Sequence, residues 1–151
     1  MAMLLQLPQN APESSDPIRD LLHNSKTIAV VGLSSSSLRP SYGVASYLQS
    51  AGYKIVPVNP NESEVLGEKS YARLEDIPFP IDIVDVFRRS DLLPGHLADI
   101  LAMVPRPRLV WLQQGICQDA FARALSAEGI DVVQDRCTLV EHRRLGVGAV
   151  E

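Results

Sequence analysis

Two features of the sequence predict an α/β fold built on a five-stranded parallel sheet with helices on both faces. Five short apolar runs, such as IAVVGL and IVPV, are rich in β-branched residues and lack the alternation of strands with one solvated face. Stretches with helical periodicity separate these runs along the chain. Because parallel strands joined in this way make right-handed crossovers, we predict a Rossmann-like, doubly wound sheet with the strand order 3-2-1-4-5.

A short helix and a strand–helix unit open the predicted domain. Asp16 is a good N-cap and Pro17 suits a first helical turn, so we expect a helix over IRDLLHNS. The strand TIAVVGL follows from Thr27, and the helix after it has one apolar face. That helix carries Val44, Leu48 and Ala51 on the apolar face, Ser41 as N-cap and Gly52 as C-terminal stop.

Four more strands and two more helices complete the predicted series. The strands are KIVPV, IDIVDVF, RLVWL and DVV, and the helices are LLPGHLADILAMV and FARALSAEG. The chain has 151 residues, 46% of them hydrophobic, which is typical of one globular domain. We therefore predict a single domain over residues 16–151. The segment 1–15 has no basic region of the kind that begins a signal peptide, and we expect it to be a flexible N-terminal tail.

Charge and cysteine content narrow the classes of function. The formal net charge of -4 argues against a broad basic surface for nucleic acid or an anionic membrane. Cys117 and Cys137 have neither zinc-site spacing nor the pattern of a disulfide framework. We therefore expect a cytoplasmic protein with free thiols, no metal site and no nucleic-acid or membrane partner.

Polar or glycine-containing segments follow all five predicted strands, and the carboxyl ends of parallel strands meet at one edge of a sheet. The first segment, GLSSSSLRPSYG, combines a glycine at position 32 with hydroxyl groups, free N–H groups, Arg39 and a helix start, which suits an anion. It matches neither GxGxxG nor a Walker loop. The second strand ends at Asn59, where a dinucleotide enzyme usually has an acidic residue for the ribose.

These segments resemble a known family, the small stand-alone coenzyme A (CoA)-binding proteins, whose domain is similar to that of the succinyl-CoA synthetase alpha subunit. The resemblance covers about Asp16 to Leu145 and rests on VVGLS, RPSYGVASYLQSAGY, IVPVNP, LGEKSYARLEDIP, DIVDVFRR, VWLQQGI and VVQDRC followed by EHRRL. It implies a Rossmann-like fold that holds CoA in the cleft. The implied CoA-binding residues are Gly32, Ser34, Arg39, Ser41, Asn59, Pro60, Phe87, Arg88, Gln113, Gln114 and Gly115.

Different parts of CoA are expected to contact different residues of this set. We expect the loop 32–41 to hold the diphosphate with help from Arg39, and Asn59 and Pro60 to border the adenosine. Phe87 offers an apolar edge and Arg88 a second phosphate contact. The turn 113–115 is expected to bond to the pantetheine amides. Ser35 to Ser37 stand where relatives often have Asp, Asn or Lys, so the resemblance does not carry side-chain phosphate contacts over to these positions. Backbone contacts from this loop are still expected.

Groups suited to catalysis are few, and we identify no catalytic residue. His142 beside Glu141 is more consistent with a structural pair than with proton transfer. Cys137 follows the fifth strand next to Arg136 and is a possible reactive thiol that could form a mixed disulfide with CoA. The chain lacks the phosphohistidine domain of the synthetase, so ligase activity would need a partner chain.

Three classes of function stay open. The first is a non-catalytic protein that binds CoA or acyl-CoA as carrier, sensor or partner subunit, with an unidentified protein partner possible. The second, based on the fold alone, is an NAD(P)-linked oxidoreductase. The third is an interaction protein with an unused nucleotide cleft. The sequence favours the first class.

Overall fold

The computed structural model describes residues 16–150 and confirms the α/β, doubly wound architecture. The tail predicted for residues 1–15 lies outside the described residues. Five parallel strands form the central sheet, and two very short strands form a separate antiparallel pair. In chain order the strands are β1 (Thr27–Val31), β2 (Lys54–Val58), β3 (Glu64–Val65), β4 (Glu68–Lys69), β5 (Ile83–Val86), β6 (Leu109–Leu112) and β7 (Asp131–Val133).

Helices cover both faces of the central sheet, as the apolar strands require. One face packs against α1, α2 and α5, and the other packs against α3 and α4. Asp16 caps α1 as predicted, because its side chain accepts the N–H of Ile18 at 2.9 Å. The helices are α1 (Pro17–His23), α2 (Pro40–Ser50), α3 (Pro94–Leu101), α4 (Asp119–Ala127) and α5 (Thr138–Arg144).

The predicted strand order is wrong, because the third long strand, β5, pairs with β1 and not with β2. The observed order is β2-β1-β5-β6-β7, which is 2-1-3-4-5 for the five long strands. Pro57 gives the physical reason. It has no N–H, and its carbonyl oxygen faces away from β1, toward the N–H of Tyr71 at 3.0 Å. A strand with proline at this position suits a sheet edge, so β2 is the edge strand.

The corrected order moves the point where the chain reverses direction across the sheet. This topological switch point lies between β1 and β5, and in the predicted order it lay between the first and fourth strands. The ends of β1 and β5 therefore lie side by side. Residues Gly32 and Phe87, which follow these two strands, become direct neighbours.

Three local features differ from the sequence prediction. Residues 64–69 form a small hairpin, and α5 occupies a stretch that was not predicted as helix. The helix α2 begins at Pro40, so its N-cap is Arg39 and not Ser41. The fixed φ of proline suits the first helical position, which explains why α2 begins two residues earlier than predicted. No helix within residues 16–150 is long and apolar enough to cross a membrane.

Candidate functional site

A cleft of about 700 Å³ opens at the carboxyl ends of the parallel strands, over the switch point between β1 and β5. It is large enough for a nucleotide-sized ligand. The structure brings ten of the eleven predicted binding residues, together with Cys137, to this cleft. Its lining residues are Gly32, Ser34, Arg39, Pro40, Ser41, Val44, Asn59, Phe87, Arg88, Arg89, Gln113, Gln114, Gly115, Ile116 and Cys137.

The eleventh predicted residue, Pro60, lines a second cavity of about 290 Å³ next to the cleft. The two cavities share Gly32, Asn59 and Arg88. The sequence analysis did not identify most of the residues around the second cavity, because they come from the connection after β4 and from α3. These additional residues include Ala72, Arg73, Leu74, His96 and Asp99.

Gly32 allows the backbone of the first loop to turn into the cleft. Its φ is +87°, a conformation that favours glycine, and its N–H donates to the carbonyl oxygen of Val58 at 2.8 Å. A β-carbon at this position would lie 2.7 Å from the carbonyl oxygen of Phe87 and 3.2 Å from Cδ of Arg88. The Arg88 side chain therefore packs directly against the glycine.

Three N–H groups of the serine loop already have partners, contrary to the expectation of free donors. The N–H of Ser34 donates to Oγ of Ser41 at 3.1 Å, and the N–H of Ser36 donates to Oγ of Ser34 at 3.0 Å. The N–H of Ser35 donates to the carboxylate of Glu62. An anion that bound to the Ser35 N–H would therefore replace a carboxylate that comes from this chain.

Two arginines, Arg39 and Arg88, give the cleft positive charge. Within residues 16–150, neither Arg39 nor Arg88 forms an ion pair. Nε of Arg88 is buried and has no hydrogen-bond partner among those residues. Arg89, in contrast, forms an exposed pair with Asp91 at 3.4 Å. Arg39 and Arg88 are thus two cations of the cleft that can pair with an anionic ligand.

The second cavity has a mixed electrostatic character. Arg73 is paired there with Asp99 at 3.2 Å, so that its charge is balanced. Burial, and then the nearby charge of Arg88, lower the pKa of His96. Asn59 lines both cavities, and its side chain is held in place because its amide donates to the carbonyl oxygen of Leu33 at 3.0 Å. A base or sugar that hydrogen-bonds without a large net charge suits this surrounding.

A buried hydrogen-bond network lies beside the cleft and includes Gln113. Its amide nitrogen donates to Oδ1 of Asp85 at 2.7 Å and to Oγ1 of Thr138 at 2.8 Å. Asp85, in the middle of β5, is fully buried, and burial raises its pKa from 3.8 to about 7 against the opposing effect of the two hydrogen bonds. The sequence showed an acid inside an apolar strand, but did not indicate its partners.

The rest of the turn after β6 is exposed but held in place. Gly115 has φ +85°, and its N–H donates to Oδ1 of Asp135 at 2.7 Å. Gln114 is exposed at the mouth of the cleft. Trp111, which precedes this turn, is fully buried and donates from its indole nitrogen to the carbonyl oxygen of Arg136 at 2.7 Å, as expected for a core residue.

The cysteines and the C-terminal histidine occupy different surroundings. Cys137 lines the cleft and is partly exposed, whereas Cys117 is exposed outside it. Some loss of hydration and then the nearby carboxylate of Asp119 raise the pKa of the Cys117 thiol. His142 lies outside the cleft, with Nδ1 2.8 Å from the hydroxyl of Tyr47.

Glu141, the neighbour of His142, pairs with Arg144 at 2.7 Å and with Arg136 at 3.6 Å. The two adjacent residues therefore face different partners. In residues 16–150, no group of three or more His, Cys, Asp or Glu side chains is arranged to hold a metal ion.

The fold and the cleft together define a class: doubly wound α/β proteins with a polar cleft at the topological switch point, where such sheets bind nucleotides. The family model for the CoA binding domain matches residues 26–143. The chain therefore belongs to the CoA-binding domain family, and the resemblance inferred from its motifs is confirmed.

Similar proteins include small relatives and parts of larger enzymes. The uncharacterized protein YneT of Bacillus subtilis (strain 168) is 43% identical over 129 residues, which cover 85% of this chain and 94% of YneT. Acetate–CoA ligase (ADP-forming) II of Archaeoglobus fulgidus is 32% identical over 84 residues, which cover 54% of this chain and 12% of the ligase. The solved structure of protein ID.343 from Thermus thermophilus has a TM-score of 0.83 at 44% identity and covers 89% of this chain and 99% of its own.

Proposed function

We propose that this protein binds CoA or an acyl-CoA in the cleft at the switch point and has no catalytic group of its own. The observation that supports this most directly is the pair Arg39 and Arg88. Both side chains line the cleft, and neither forms an ion pair in the described part of the chain. Two such cations suit the negatively charged diphosphate and ribose phosphate of CoA.

The parts of the site suggest how CoA would lie in it. The loop from Gly32 and the start of α2 would hold the diphosphate, with Arg39 on the exposed side and Arg88 against the glycine. Asn59 and Pro60 border the second cavity, which has room for the adenosine. Phe87 would then face the arm or the base, and the turn 113–115 would lie along the pantetheine arm.

We also propose that Cys137 is the thiol that can react with CoA under oxidising conditions. In that reaction, the Cys137 thiolate attacks the sulfur–sulfur bond of CoA disulfide. A Cys137–CoA disulfide forms and one CoA thiolate leaves, so that atoms and electrons balance. The position of Cys137 in the lining of the cleft supports this proposal.

We propose further that residues 16–151 act as one CoA-binding domain in the cytoplasm, as a carrier, a sensor or the binding subunit of a larger assembly. The match to a segment that makes up 12% of an acetate–CoA ligase supports the last possibility. In such an assembly a partner chain would supply the ligase chemistry, and this chain would supply bound CoA.

Isothermal titration with CoA, acetyl-CoA, 3′-dephospho-CoA, NAD and NADP tests the proposal. We expect CoA to bind, 3′-dephospho-CoA to bind more weakly, and NAD and NADP to bind more weakly than CoA. For NAD the reason is that Asn59 offers no carboxylate to the ribose hydroxyl groups. Arg39→Ala and Arg88→Ala should each remove about 1.5 to 3 kcal/mol of CoA binding energy. Arg123→Ala, an exposed arginine on α4, is the control.

Two results would contradict the proposal. Tighter binding of NAD or NADP than of CoA would favour an oxidoreductase. No binding of any of the five compounds would instead favour an interaction protein on an unused nucleotide scaffold.

A further inference from the structure

Asp85, Thr138 and Gln113 form a buried group next to the cleft, and the proposed function uses only Gln113. Asp85 and Thr138 are fully buried, and Gln113 is 4% exposed. The three residues come from β5, α5 and the end of β6, so the group joins three elements of the fold. No basic side chain bonds to Asp85 within residues 16–150, and its hydrogen bonds there come from Gln113 and Thr138.

The directions of these hydrogen bonds allow one arrangement when Asp85 is ionised. A carboxylate only accepts, so the hydroxyl of Thr138 donates to its Oδ2 at 3.1 Å. The Thr138 oxygen is then free to accept from Gln113, whose amide nitrogen also donates to Oδ1 of Asp85. If the Gln113 amide were reversed, its oxygen would face the carboxylate, and two acceptors would meet without a proton.

Both N–H groups of the Gln113 amide are therefore used inside the protein, and the carbonyl oxygen is the atom that is left for a ligand. Gln113 lines the cleft. We infer that Asp85 and Thr138 are positioning residues that hold Gln113 as a fixed hydrogen-bond acceptor, so that this end of the cleft selects a ligand group that donates an N–H or O–H.

The inference rests on the proposed function and predicts the orientation of CoA in the cleft. Phosphate oxygens are acceptors in their ionised form, so they do not suit a fixed acceptor. The pantetheine arm of CoA has two amide N–H groups, either of which can donate. The phosphates therefore lie toward Arg39 and Arg88, and an amide of the arm lies at Gln113.

The contact between Gln113 and the pantetheine arm is tested by comparing CoA with 3′-phosphoadenosine 5′-diphosphate, which is CoA without the arm. Gln113→Met keeps the size of the side chain and removes the acceptor. We expect it to weaken CoA binding by about tenfold and to leave binding of the nucleotide fragment unchanged. The titrations are made at about pH 8, above the pKa of Asp85.

Hydrogen exchange of the side-chain amides, followed by ¹⁵N NMR without ligand, tests the positioning part. The Gln113 NH₂ group should exchange slowly, and that of the exposed neighbour Gln114 should exchange fast. Thr138→Val should speed exchange at Gln113 and weaken CoA binding, whereas Thr138→Ser, which keeps the hydroxyl, should restore both. If the role of Thr138 were merely structural, Thr138→Val would change the affinities for CoA and for the nucleotide fragment to the same extent.

The two proposals fail in different ways. Equal CoA affinity of the wild type and Gln113→Met, or equally fast exchange at Gln113 and Gln114, would overturn the inference and leave CoA binding intact. Failure of the wild type to bind CoA would overturn both.

Discussion

The backbone of Gly32 lies against that of Phe87 so closely that a β-carbon at position 32 would be 2.7 Å from the Phe87 carbonyl oxygen. These two residues follow β1 and β5, the strands on either side of the switch point. The contact therefore fixes the floor of the cleft. Position 32 requires glycine for two reasons: the backbone there has a positive φ, and the contact leaves no room for a side chain.

Gly32→Ala should lower the free energy of unfolding by about 1 to 3 kcal/mol and abolish most CoA binding, because the two strand ends must move apart. Gly43→Ala is the matched control. It lies inside α2 with nothing within 4 Å of an added β-carbon, so it should stabilise the protein by about 0.5 to 1 kcal/mol. Urea denaturation measures both changes. Equal stabilities of the two variants would contradict this role of Gly32.

Glu62→Gln should strengthen CoA binding by about two- to tenfold. The Glu62 carboxylate accepts the Ser35 N–H at the loop where we place the diphosphate, so its charge opposes an incoming anion. Glu64→Gln removes an exposed charge from the same connection and should have a smaller effect. Titration with CoA at low ionic strength measures the difference. Unchanged or weaker binding to Glu62→Gln would contradict the placement of a phosphate at this loop.

Asp85 should make stability depend on pH between about 4 and about 7. Its pKa is raised in the folded protein, so the folded state holds the proton more tightly than the unfolded chain. The stabilisation is complete below the unfolded pKa and is lost as the pH rises through about 7. The raised pKa corresponds to a loss on the order of 4 kcal/mol.

Denaturation of Asp85→Asn and wild type at several pH values measures this dependence. The variant should gain stability relative to the wild type as the pH rises, because a neutral amide costs less to bury than a carboxylate. Asp20→Asn, which removes an exposed carboxylate, controls for the change in net charge. A stability difference between Asp85→Asn and wild type that stays constant with pH would contradict the assignment.

Incubation with CoA disulfide should place one CoA on Cys137 and little on Cys117. Cys137 lies in the cleft, where bound CoA raises the local concentration of disulfide, and the raised pKa of Cys117 reduces its thiolate fraction. Mass spectrometry of peptides locates the adduct, and Cys137→Ser should prevent it. Equal modification of both cysteines would show that the cleft does not direct the reaction.

The alternation of apolar strands and amphipathic helices was sufficient to predict the fold class, but not the strand order. Periodicity identifies buried strands and does not say which of them pair. Pro57 carried the missing information, since a proline in the middle of a strand indicates a sheet edge.

The main cleft was predictable because the carboxyl ends of parallel strands meet at one edge, which brings Gly32, Phe87 and Gln113 together. The second cavity was not, because His96 and Asp99 reach it from α3, and the packing of a helix against a sheet edge is not visible in local sequence. The Asp85 network was missed for the same reason, since Thr138 comes from a helix that the sequence did not indicate.

A titration of ¹⁵N-labelled protein with CoA, followed by backbone amide shifts, tests the central claim most directly. CoA bound at the switch point should move the amide signals of Gly32 to Arg39, Phe87 to Arg89 and Gln113 to Gly115. The signals around His142, whose separate surface cavity lies outside the cleft, should stay in place. Shifts confined to the His142 region, or no shifts at saturating CoA, would contradict the account.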